Sequence, residues 1–283
     1  MAYNYLDEIK KVKEYYAGDP LQKRFSALVT GETNAGKTYL LRTARRPIHI
    51  DSFDPGGTKC LADLIASGDV IADTQWENDD PFAPDKFAKW KKAIDIRFQI
   101  DYFSKFGTYV IDSATTWGDS VMNYGLAAKN RAGEVPQRNF DYMPQKIDME
   151  NYIKKLMRIP CDFILTGHLK EIKKVLSVDT KTGISRDEIK YRFHTVGQSV
   201  ITIPLLFDEI YVLIGEEGRT GPKRKMLIDS LGTYVARSRL KANGKLDSVE
   251  EPDIKGILKK IGLDWSDKPP LPKGGELDKN ESK

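Results

Sequence analysis

Apolar side chains recur along this chain in two rhythms. The first is a set of short, nearly unbroken runs: FSALVTG at 25–31, RPIHID at 46–51, GTYVIDS at 107–113 and CDFILTGH at 161–168. Strands of that kind are buried on both faces, as in a parallel sheet. The second rhythm is helical. Phe87, Trp90, Ile94 and Phe98 fall on one face of 85–103, and 37–44 and 149–159 read as further helices. Strand and helix alternate, which predicts an α/β fold with a mainly parallel sheet covered by helices on both faces. Tyr5, Ile9, Val12 and Tyr16 predict a short amphipathic helix within 1–24, ahead of one domain spanning 25–263.

Past His168 the pattern changes to antiparallel pairing. Residues 171–194 read as a hairpin turning at 179–183, and 207–229 as a second hairpin with Gly215, Gly218, Gly221 and Pro222 around its turn. A helix is expected over 252–263. From 264 to 283 the chain is rich in Pro, Gly and charge without periodicity, which predicts a disordered tail.

Chemistry enters at VTGETNAGKTYLL, residues 29–41, where Gly31, Gly36, Lys37 and Thr38 fit G-x-x-x-x-G-K-[ST] between a strand and a helix. Glycine at both ends lets the backbone N–H groups of Thr33, Asn34, Ala35, Gly36, Lys37 and Thr38 wrap a phosphate. Lys37 then reaches the β- and γ-phosphates of ATP, and the Thr38 hydroxyl binds Mg²⁺. The cation needs a carboxylate as well. Asp112, ending an apolar strand where an unused charge is costly, is the candidate. Hydrolysis further requires a group to orient water. Asp51 and Asp54 both sit at the exit of the second strand, and Asp54 is preferred because it lies beyond the strand, in the turn. His168 ends its strand at the same sheet edge, placed to sense the γ-phosphate.

Charge narrows the picture. The chain has 283 residues and a net charge of +4, but 170–194 carries +3 and 218–245 carries +7. Basicity is therefore concentrated after His168. In the first hairpin Lys173, Lys174, Lys181, Arg186, Lys190 and Arg192 could follow a single-stranded DNA backbone while Tyr191, Phe193 and His194 stack on bases. Cys60 and Cys161 are too few for a disulfide framework. With no signal-like or membrane-spanning run, the expected setting is the cytoplasm.

The order of motifs resembles the phage nucleotide-binding ATPases of the RecA-like P-loop class, some of which act in single-strand annealing. The resemblance covers residues 25 to about 240 and is carried by the P-loop, VIDS, ILTGH, FDEIYVL and YVARSRL. It implies ATP and Mg²⁺ as ligands, single-stranded DNA as partner, and rings or filaments with ATP at subunit junctions. The family's catalytic glutamate follows the second strand; that register here holds Phe53, with Asp54 one place on. The resemblance also implies that Arg237 and Arg239 face a neighbouring subunit's nucleotide, and that His168 stands where the wider class often has Gln. The resulting expectation is a DNA-dependent ATPase in strand annealing or recombination. Its rivals are a translocating helicase or packaging motor, a small-molecule kinase, and a nucleotide-gated scaffold with little hydrolysis.

Overall fold

The computed structural model describes residues 4–137, 140–178, 185–195, 199–216 and 223–272. Its elements in chain order begin with α1 (Tyr5–Gly18), β1 (Ser26–Gly31), α2 (Lys37–Leu40), β2 (Ile48–Ser52), α3 (Ala62–Ser67) and β3 (Val70–Asp73). Next come α4 (Lys86–Gln99), β4 (Thr108–Asp112), α5 (Ala114–Ala127), α6 (Tyr142–Leu156), β5 (Asp162–Val178) and β6 (Ser185–Phe193). The last are α7 (Ser199–Leu205), β7 (Glu209–Glu216), β8 (Lys223–Leu227), β9 (Arg237–Ser238), β10 (Val249–Glu250) and α8 (Ile254–Ile261).

One sheet organises them in the order β10-β8-β7-β1-β5-β4-β2-β3. From β7 through β3 all neighbours are parallel. The β8 and β10 strands add antiparallel pairing at one edge. This is the α/β architecture the alternating pattern predicts.

Side chains leave each strand to alternate faces, so each apolar run supplies two cores. Ala27, Val29, Val110 and Ile164 pack on one face with Leu40 and Leu41 and with Ile254, Ile257 and Leu258 of α8. Leu28, Tyr109, Ile111, Phe163 and Leu165 pack on the other with Trp90 of α4, Trp117 of α5 and Ile153 of α6. Trp90 and Trp117 are fully buried. Burying such rings contributes about 2–3 kcal/mol each from apolar area alone.

Several expectations are corrected. The expected strand at 161–168 does not stop before the first hairpin; β5 is a single strand of 17 residues, with a bulge between Val175 and Ser177. Antiparallel pairing with β6 takes over at Leu169, directly after the last parallel pair with β1, Gly31 opposite His168. The second hairpin is no appendage. Its first strand, β7, lies inside the sheet parallel to β1 and contributes the buried Tyr211, Val212 and Leu213. The helix expected at 149–159 begins earlier, at Tyr142. Helices α3, α5 and α7 and strand β3 lacked a readable period; α5 is ATTWGDSVMNYGLA, whose small and polar residues obscure it.

The tail also begins later than residue 264. The Arg45 guanidinium bonds the Ser266 carbonyl and the Asp264 carboxylate, and the Lys268 N–H donates to the Arg46 carbonyl at 2.8 Å. Ion pairs and main-chain bonds thus anchor a stretch with no apolar periodicity. Residues 273–283 lie outside those described.

Candidate functional site

The parallel strands deliver their carboxyl ends to one edge, and the predicted P-loop residues, Asp54, Asp112 and His168 converge there. Gly31 at the end of β1 stands opposite His168 in β5, and Ser52 at the end of β2 stands opposite Asp112 of β4. A crevice of about 660 Å³ opens between the P-loop and the turn after β2. Thr33, Asn34, Gly36, Lys37, Thr38, Asp54 and His168 all line it. Crevices of this kind, outside strand carboxyl ends, are where open α/β sheets bind ligands.

Two glycines permit the loop. A Cβ on Gly31 would stand 2.9 Å from the Leu213 carbonyl oxygen and 3.0 Å from the Ala35 Cβ. Gly36 has φ +94°, a conformation side chains rarely adopt. Ala35 itself is buried against the core rather than open to the crevice, and its N–H donates to the Glu32 carbonyl at 3.2 Å.

Lys37 is buried and donates to the Gly31 and Glu32 carbonyls at 3.1 and 2.9 Å, with His168 Nδ1 3.5 Å away. Burial lowers the affinity of its amine for a proton, against the opposing pull of Asp112 and Asp54. The Thr38 hydroxyl donates to Asp112 Oδ2 at 2.7 Å, and Thr166 donates to the other carboxylate oxygen. Burial pushes the Asp112 carboxyl above its ordinary value despite these donors. A buried carboxylate beside a threonine hydroxyl is a hard-oxygen pair of the type Mg²⁺ prefers, so these residues fit the cation that a P-loop nucleotide carries.

Asp54 projects into the crevice from the turn. Its Oδ1 accepts from Ser113 at 3.0 Å and from Thr116, while Oδ2 faces His168 Nε2 at 3.8 Å. Burial is the largest influence and raises its pKa, but His168, Thr116 and Ser113 together outweigh it, and the net shift is downward. Glu77, which no motif singled out, holds the turn by accepting from the Ser52 hydroxyl at 2.7 Å and the Gly56 N–H at 2.9 Å. Its only signal in the sequence is an acid shortly after β3, a strand the apolar pattern does not reveal.

Asp51 goes elsewhere. It is fully buried beneath the sheet edge and accepts from Arg97 at 2.8 and 2.9 Å, Trp90 at 2.7 Å, Trp76 at 3.1 Å and Tyr109, with His49 Nε2 at 2.9 Å. His49, Asp51 and Asp73 could together ligate a metal, yet the Arg97 guanidinium bonds both carboxylates and supplies the counter-charge itself.

Arg237 and Arg239 do not approach this chain's own P-loop. Arg237 pairs with the start of β7, at the opposite sheet edge, and the Arg239 N–H donates to the Asp208 carbonyl just before it. Arg237 donates to the Pro204 and Phe207 carbonyls, while Arg239 bonds Asp208 at 3.0 Å and stays half exposed.

In the hairpin, Lys173, Lys190 and Arg192 lie on the strands that leave the crevice. Lys173 pairs with Glu171 and Lys190 with Glu188. Phe193 is buried against Gly167 and serves the core, not a base. Tyr191 stacks on Tyr234 with ring centres 5.3 Å apart. Lys181 lies outside the described residues, as do the side chains of Lys174 and Arg186. Arg224, from β8, also lines the crevice and was not singled out by sequence.

A family model for the AAA domain matches residues 23–240. A search of curated proteins gives no match. Among solved structures the chain is similar to a KaiC-like protein from the hyperthermophilic archaeon Pyrococcus horikoshii OT3. The two share 13% identity over 73% of this chain and 79% of that one, with a TM-score of 0.39. Among the described residues no helix is long and apolar enough to cross a membrane.

Proposed function

The chain belongs to the AAA domain family, a P-loop ATPase, and from that premise we propose that it couples ATP binding and hydrolysis to single-stranded DNA held along the β5–β6 hairpin, in strand annealing or recombination of the phage RecA-like type. One observation carries the reading. β5 is a single strand that passes His168 in the nucleotide crevice and runs on into the basic hairpin, so a shift at the phosphate is transmitted without a flexible joint.

The residues divide the work. Lys37 exchanges its two carbonyl partners for phosphate oxygens, and Thr38 and Asp112 hold Mg²⁺. The cation, when bound, neutralises charge on the transferred phosphoryl group. Asp54, with Oδ1 fixed by Ser113 and Thr116, offers Oδ2 to an attacking water. His168 lies between that carboxylate and Lys37, where it registers the γ-phosphate. Lys173, Lys190 and Arg192, with Lys174, Lys181 and Arg186, meet the DNA backbone. Assembly into a ring or filament brings Arg239, and Arg237 beside it, toward a neighbour's nucleotide.

ATPase rates with and without single-stranded DNA, beside an annealing assay, test this. Stimulation and annealing are expected from the wild type. Lys37→Ala is expected to fold normally and lose roughly 100-fold or more in turnover, since it removes a preorganised charge at the phosphate. An unchanged rate would sink the site. Arg239→Ala is expected to spare nucleotide binding and to slow turnover only in the assembled state; equal rates for monomer and assembly would remove the in-trans role.

A further inference from the structure

The crevice has a wall that belongs to none of the P-loop motifs. Arg224 reaches it from β8, where it pairs across the ladder from Gly215 of β7. Two distances place the side chain. Its guanidinium carbon lies 5.4 Å from the centre of the Tyr39 ring, the residue directly after Thr38. Its Nε lies 2.7 Å from where a Cβ on Gly36 would stand. Gly36 therefore serves twice: it takes the left-handed backbone of the P-loop and makes room for the arginine.

Several other arginines of this chain spend their guanidinium groups on carboxylates. Arg42 bonds Asp63, Arg45 bonds Asp162 and Asp264, Arg97 bonds Asp51 and Asp73, and Arg131 bonds Asp141 and Glu134. Among the described residues Arg224 has no carboxylate or carbonyl partner, and the Tyr39 ring is the contact that holds it. An arginine carries five N–H donors in a planar fork suited to carboxylate or phosphate. Here that fork stands at a crevice whose wall also includes Lys37 and Lys59, against the carboxylates of Asp54 and Asp112. Asp112 is already committed to Thr38, and Asp54 to Ser113 and Thr116. Arg224, Lys37 and Lys59 bring three cationic groups to this crevice, which the two carboxylates offset only in part, a setting for an anion.

We infer that Arg224 is a nucleotide ligand supplied by the same chain: its guanidinium hydrogen-bonds a phosphate oxygen of the nucleoside di- or triphosphate in the P-loop. The β7–β8 hairpin is thereby a further element, besides the P-loop, β4 and β5, that faces the nucleotide. A strand residue next to a parallel core strand is a rigid support for such a contact. The inference rests on the ATPase reading of the P-loop and adds a residue that the P-loop motif does not contain.

Titration calorimetry with Mg²⁺ and either ADP or a non-hydrolysable ATP analogue tests it on the wild type and on Arg224→Ala, Arg224→Gln and Arg224→Lys. Loss of one hydrogen bond to a charged group predicts that Ala and Gln weaken nucleotide binding about tenfold or more. Lys, which keeps the charge without the fork, should recover part of that loss. Thermal unfolding without nucleotide should be nearly unchanged in all three, because the side chain is exposed. Ala or Gln binding both nucleotides within about twofold of wild type would overturn the inference, since a charged contact is worth more than that. So would Gln matching wild type while Ala fails, which would assign the arginine to stacking alone. A wild type that binds no nucleotide would overturn this inference and the ATPase reading together. Loss of binding in Lys37→Ala but not in Arg224→Ala would remove this one only.

Discussion

Asp51 and Asp54 lie three residues apart at the exit of the same strand, and the fold gives them opposite lives. Asp51 points under the sheet edge, where Arg97, Trp76, Trp90, Tyr109 and His49 surround both carboxylate oxygens. Asp54 points outward, with one oxygen fixed by Ser113 and Thr116 and the other toward His168 and the crevice. Both pKa values fall, although burial pushes each up, because donors aimed at a carboxylate favour its charged form. The difference lies in spare acceptor capacity. A carboxylate saturated by buried donors holds structure together, and one with a free oxygen at a crevice can act on a ligand.

The contrast can be broken most forcefully at Asp51. Asp51→Ala leaves the Arg97 guanidinium and two indole N–H groups without this partner, and a broken buried ion pair costs about 3–5 kcal/mol. Urea denaturation should show that loss, with Asp54→Asn close to wild type in the same experiment. A stable Asp51→Ala chain would dissolve the distinction. The pH dependence has a definite sign. A folded-state pKa below the unfolded value stabilises above the unfolded value, and that stability is lost as pH falls toward the folded one. Asp51 therefore contributes at neutral pH and loses its contribution in acid.

Asp54→Asn makes the converse test. Folding should be nearly unaffected, nucleotide binding largely kept, and turnover reduced roughly 100-fold, the scale of a lost general base. Single-turnover hydrolysis measures it. Unchanged turnover would return the water-orienting role to another group.

Asp162 sharpens the comparison with the smallest effect. It is as buried as Asp51 but has fewer donors: the Phe25 N–H at 3.0 Å and Arg45 at 3.4 Å. Burial accordingly prevails, and its carboxyl is pushed up from 3.8 to about 6. Because the folded value lies above the unfolded one, the native state holds the proton more tightly, and stability falls as pH rises between those two values. Asp162→Asn should flatten that slope, by about 1–3 kcal/mol over the window. Identical pH profiles for variant and wild type would show that Arg45 compensates fully.

The site was more legible than the sheet around it. Gly31, Gly36, Lys37, Thr38 and Asp112 announce themselves because phosphate binding imposes fixed spacing on neighbours in sequence. Residues that meet only across elements carry no such spacing. Glu77 follows a four-residue strand that the apolar pattern does not reveal, and Arg224 sits in a hairpin whose basic run reads equally well as a solvated surface.

By itself, then, the chain of side chains determined the strand and helix alternation, the P-loop and the carboxylate beside it, since each depends on local period or local spacing. Only the tertiary structure decided which of Asp51 and Asp54 faces the crevice, that β7 lies inside the sheet, and that Arg224 lies over Gly36. Those outcomes depend on which strands become neighbours. Strand order is set by burial of two whole faces at once, a property no single segment carries.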